Sequence, residues 1–86
     1  MDLTELVRSY VKQRNDFVAR IGLIAQQLNA WTDEHSRVSP SLFDVAHFEG
    51  LRAERSQLLS EFTEAEDAFV VQMLQTMGAA ARDKAG

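Results

Sequence analysis

Apolar residues in the first third of the chain recur at alternating steps of four and three. The series is Leu3, Val7, Tyr10, Phe17, Ile21, Ile24, Leu28 and Trp31, with Arg14 filling the one remaining place. This is a heptad frame, with d at 3, 10, 17, 24 and 31 and a at 7, 14, 21 and 28, and it predicts one amphipathic helix over about 3–33. Asp2 and Thr4 offer capping oxygens, and Glu5 places a negative group in the first turn, where the helix dipole favours it. A largely polar stretch then predicts a turn over about 34–40. Two restart signals follow it. Ser39 caps with Pro40 at the first helical position, Val38 and Phe43 being spaced for a hydrophobic staple; alternatively Ser41 caps, with Asp44 three residues on.

The second helix is predicted over about 41–80, on the series Phe48, Leu51, Arg55, Leu58, Phe62, Ala65 and Phe69. Past Phe69 the apolar positions move to Met73 and Met77, the drift of a straight helix away from a 3.5-residue repeat. Gly50 is a candidate kink, costing about 1 kcal/mol relative to Ala. Gly78 and the tail 81–86 are expected to fray. A loop this short joins antiparallel neighbours, so the chain is expected to be all-α, a single helical-hairpin domain over 1–86. Residues whose numbers add to about 79 then face each other, which pairs Trp31 with Phe48, Phe17 with Phe62 and Tyr10 with Phe69.

The two flanks of the seam differ. The g flank carries Gln13, Arg20 and Gln27 on the first helix and His47, Glu54 and Glu61 on the second. The e flank carries Val11, Val18 and Ala25 on the first and Val45, Leu59 and Met73 on the second. A self-sufficient two-stranded coiled coil has charged flanks on both sides. A two-helix core this small rarely supplies more than about 3–5 kcal/mol. The apolar e flank is therefore expected to pack against more helices. The simplest case is a second copy, giving a homodimer and a four-helix bundle; the other is a different helical protein.

Composition narrows the chemistry. The 86 residues include no Cys, so disulfides, thiolate nucleophiles and Cys-based metal sites are excluded. The formal net charge is −4, and the acidic excess lies after residue 38. An acidic chain without a basic run repels a phosphate backbone, so no nucleic-acid partner is expected. No apolar stretch approaches the ~20 residues of a membrane span, and the acidic, amphipathic start is unlike a signal peptide. A cytoplasmic protein is the expectation, with no membrane partner, no cofactor and no small-molecule substrate.

Few residues suggest a site. Arg14 and Arg55 stand at seam positions, where each is expected to carry its guanidinium to the edge and pair with a carboxylate, Glu61, Glu64 or Glu66 for Arg14. Read functionally, the two would clamp an anion. Glu61, Glu64, Glu66 and Asp67 form an acidic cluster that is a solvated face or a docking patch for a basic partner. His35 and His47 are expected in solvent, since a metal site needs three or four convergent ligands and only Asp44 is spaced to join His47. Trp31 is expected to cap the core with Phe43 and Phe48. Leu23, Val70 and Val71 lie off the main stripe as candidate anchors for a partner.

In outline the chain resembles two small helical families. Secreted helical hairpins with a Trp-x-Gly turn share its size and acidity, but here the text is Trp31-Thr32-Asp33. The all-helical chorismate mutases share the size and the use of bundle arginines, here Arg14, Arg20, Arg52 and Arg55, but they have a further helix. Neither resemblance assigns a family. The expected function is a non-enzymatic interaction module: a small acidic adaptor, chaperone-like subunit or protein inhibitor. The alternative is a chorismate-mutase-type enzyme that binds an anionic metabolite through its arginines.

Overall fold

The computed structural model describes residues 2–85, with side chains described for 2–79. Two helices make up the fold, α1 (Leu3–His35) and α2 (Leu42–Ala85), packed as an antiparallel hairpin. Asp2 caps α1: its carboxylate accepts from the Glu5 backbone N–H at 2.8 Å. The α2 cap is the Ser41–Asp44 pair. The Asp44 N–H donates to Ser41 Oγ at 3.2 Å, and the Ser41 N–H donates back to the Asp44 carboxylate at 2.8 Å. This reciprocal box satisfies two backbone donors at once, which is why it prevails over the Ser39–Pro40 start. The staple expected with that start does not form, as Val38 and Phe43 stay exposed, Phe43 at 87%. Gly50 does not divide the second helix: α2 runs through it unbroken. Helical hydrogen bonds on either side outweigh the modest glycine penalty. The helix continues through Gly78 to Ala85, past the expected end near residue 80, and Gly86 lies outside the described residues.

The register follows the antiparallel rule. Tyr10 stacks on Phe69 at 4.1 Å between ring centroids, Phe17 meets Phe62 at 5.5 Å and Trp31 meets Phe48 at 4.7 Å. Between these layers the core is Ile24, Leu28, Leu51 and Leu58, with Phe17, Ile21 and Phe48 packed against it. Phe43 takes no part in the Trp31 cap.

At the open end the seam departs from the strict heptad frame. Leu6 is buried at 7%, whereas Leu3 and Val7 are exposed at 39% and 40%. An ideal helix drifts about 20° per heptad from a 3.5-residue repeat. Followed from Ile24 back to the N-terminus, that drift brings a g position, Leu6, into the seam and rolls Val7 out. On α2 the same drift runs forward and brings in the e position Met73, which is half-buried. Met77 lies beyond the contact and is exposed, and the half-buried Thr76 takes the last seam position.

The result is a rod of 69 × 16 × 14 Å with a radius of gyration of 19.9 Å. A compact chain of this length would have a radius of about 12 Å.

Candidate interaction surface

The e flank forms one open strip along this rod. Val11, Val18, Val45 and Leu59 are exposed at 44–48%, and Ala25 and Met73 are half-buried at its edge against the seam. The uniform half-exposure follows from geometry. A flank residue turns one side to the seam, and only a neighbouring helix would cover the other. Further apolar side chains extend the strip. Next to the e column on α2 lie Leu42 at 89%, Val70 at 46% and Met77 at 52%, and Val7 borders it on α1. The strip is not wholly apolar, since Arg52 and Glu66 stand in the same exposed column of α2 between Val45, Leu59 and Met73. Among the candidate anchors, Leu23 and Val71 are exposed on the opposite side of the hairpin, so Val70 alone joins the strip.

The arginines fall elsewhere. Arg14 is exposed, because the drift that rolls Val7 outward carries it out of the seam as well. Arg55 is half-buried between Leu51 and Leu58. Among the described residues neither forms an ion pair with a carboxylate, so the pairing of Arg14 with Glu61, Glu64 or Glu66 is absent from the hairpin. The register sets the two arginines about 15 Å apart along the axis, so a single small anion lies within easy reach of only one. A cleft of about 220 Å³ opens between Leu6, Tyr10, Gln13, Phe69 and Gln72, and neither arginine lines it.

The acidic residues are spread around α2. Glu61 is half-buried on the g flank and accepts from the Gln57 amide at 3.3 Å, Glu64 and Asp67 point outward, and Glu66 stands on the e flank. The Tyr10 phenol is raised from its ordinary value, first by burial against its neighbours and then by the negative charge of Glu66, with Arg14 opposing.

The turn end holds a polar cluster. His35 is the last residue of α1 rather than part of the loop, and its side chain is 6% exposed. It stacks on Trp31 at 4.3 Å, and its Nε2 lies 3.3 Å from the Asp44 carboxylate without hydrogen-bond alignment. The Trp31 indole N–H donates to the Asp44 carbonyl at 2.9 Å. Asp44 is held below the usual carboxylate range, chiefly by the backbone and hydroxyl donors of Ser41 and then by His35 and His47. The antiparallel rule already pairs 35 with 44, so the contact was available from sequence once the helix was extended by two residues. Among the described residues no three His, Asp or Glu side chains converge as metal ligands would, and no helix is long and apolar enough to cross a membrane.

No family model matches the chain, and no curated protein or solved structure is similar enough to it to lend it a family or a function.

Proposed function

We propose that this chain is a non-enzymatic protein–protein interaction module of the cytoplasm, a small acidic adaptor, chaperone-like subunit or protein inhibitor. It works by burying the e flank against other helices, and the four-helix bundle is the simplest complete form. The observation that carries this reading is the strip of Val11, Val18, Val45 and Leu59, each near half-exposed on one side of the rod. Burying side chains of this kind is worth about 1.5–3 kcal/mol each. Several together outweigh the rigid-body entropy lost on association. The acidic surface of α2 would add selectivity by repelling acidic competitors.

Glutamate in the strip tests this reading. Val18→Glu and Leu59→Glu are each expected to dissociate the native assembly in sedimentation equilibrium and to lower its melting temperature. If the parent chain and both variants sediment as equally stable monomers, and both variants still capture any partner that the parent captures, the flank has no such role.

A further inference from the structure

We propose that the flank is covered by a second copy of this chain, with the α2 helices antiparallel, Leu59 on the two-fold axis, and Arg52 of each copy paired with the partner's Glu66. This rests on the reading of the flank as an interaction surface and adds to it the occupant and its register. The e column of α2 reads Val45, Arg52, Leu59, Glu66, Met73. The column is self-complementary about its middle. One heptad from Leu59 stand a base on one side and an acid on the other; two heptads away stand two apolar residues. In an antiparallel two-fold contact each residue meets the one equally far beyond the axis, so facing numbers add to about 118. Leu59 then meets Leu59, Arg52 meets Glu66 at two places, and Val45 meets Met73 at two places. The neighbouring column follows the same register within a residue. Leu42, the most exposed large apolar side chain here, falls beside the partner's Met77, Ser56 falls beside Thr63, and Glu49 falls beside Val70, where it keeps its own Arg52 as neighbour.

The α1 helices fit the same axis. Leu59 is level with residue 20, so facing numbers on α1 add to about 40. Val18 then meets Gly22, whose Cβ position has no atom within 4 Å in the hairpin. No charged residue stands on this face of α1 between Val11 and Asn29: the sequence of positions is Val11, Asn15, Val18, Gly22, Ala25, Asn29. The other two-fold stacking, α1 on the partner's α2, would lay Arg52 against Ala25 and Glu66 against Val11, so two charges would be covered without counter-ions. Charge therefore selects the α2-on-α2 arrangement. Both charges are exposed, although Glu66 already lies beside the Tyr10 phenol. The Arg52–Glu49 contact, 3.6 Å with both side chains 60% exposed, is a weak surface pair.

The surface area agrees. The chain exposes 6744 Å². A compact monomer of its mass would expose about 5,100 Å². Removing that excess from both copies would bury about 3,000 Å², within the range of about 2,000–5,000 Å² for obligate homodimers.

The test uses charge reversal on the full chain, read by sedimentation equilibrium and native mass spectrometry at low salt. Arg52→Glu alone sets Glu against Glu at both contacts, and Glu66→Arg alone sets Arg against Arg. Each is expected to weaken self-association tenfold or more. An equimolar mixture of the two restores opposite charges at both contacts and is expected to form a heterodimer within a few-fold of the parent affinity. The double variant Arg52→Glu/Glu66→Arg is expected to regain the homodimer. Both positions are exposed, so circular dichroism should show each variant as helical as the parent. Single variants that self-associate like the parent, or a mixture no tighter than its components, overturn the register. If Leu59→Glu still dissociates the parent dimer in that case, the flank reading stands while this inference fails. A parent chain that stays monomeric at high concentration overturns the second copy as occupant, and capture of a different helical protein by the same strip would preserve the flank reading.

Discussion

Asp44 has several roles at the turn, and each depends on its charge or position. Its carboxylate accepts from the Ser41 N–H and hydroxyl, its backbone N–H completes the cap, and its carbonyl receives the Trp31 indole. The hydrogen bonds hold its pKa below the ordinary value of 3.8. A carboxyl group whose folded-state pKa is depressed adds stability at pH values above its unfolded pKa, and that stability is lost as pH falls through the folded pKa. Asp44→Asn is therefore expected to melt below the parent at neutral pH, with the gap closing as pH drops beneath the ordinary carboxylate range. Thermal melts followed by circular dichroism on both proteins check this; a gap of constant size down to about pH 2 would show that the Asp44 charge contributes nothing to the cap. The sequence offered this cap as one of two starts. It could not rank them, because what separates them is the reciprocal hydrogen bonding that only the folded turn displays. His35 was missed for a related reason: assigning it to the loop hid a partner that lies directly across the hairpin.

At the scale of the helices, most of the seam was legible. The four-and-three spacing from Phe17 to Trp31 and from Phe48 to Phe69 fixes the buried faces, and the short loop fixes which residues meet. The drift was anticipated on α2 but not on α1, where Leu3 and Val7 held the strict frame and Leu6 is the residue buried. An apolar residue at every step of the pattern conceals such a drift, because the frame and its neighbour look equally good. Gly50 shows the limit of a local penalty. It sits inside an unbroken helix, exposed, with open space where a Cβ would stand. Gly50→Ala is expected to stabilise the chain by about 0.5–1 kcal/mol, since it removes backbone freedom from the unfolded state at no steric cost. For a domain of this size that is a rise of a few degrees in melting temperature. A lower melting temperature for Gly50→Ala would mean that the glycine serves a contact outside the hairpin, since its position is on the face turned away from the e flank.

At the scale of the whole molecule, the seam uses one side of each helix, and the periodicity that reveals it also reveals what it leaves uncovered. The e flank was readable as an asymmetry of polarity. Its self-complementarity about Leu59 became readable only once the register placed Arg52, Leu59 and Glu66 on one open column. A lateral dimer and an end-to-end dimer differ in shape, and solution scattering separates them. In the lateral arrangement the two rods lie about 10 Å apart and their centres are offset by only a few residues, so the radius of gyration should exceed the hairpin's by about 1 Å while the mass doubles. The hairpin itself has a radius of 19.9 Å and a mass of 9.7 kDa. Joining at the tip, through the exposed Leu42 and Phe43, would instead lengthen the particle to nearly twice 69 Å and raise the radius in proportion. A doubled mass with little growth in radius is the expected result, and a doubled mass with a doubled length would move the contact from the flank to the turn.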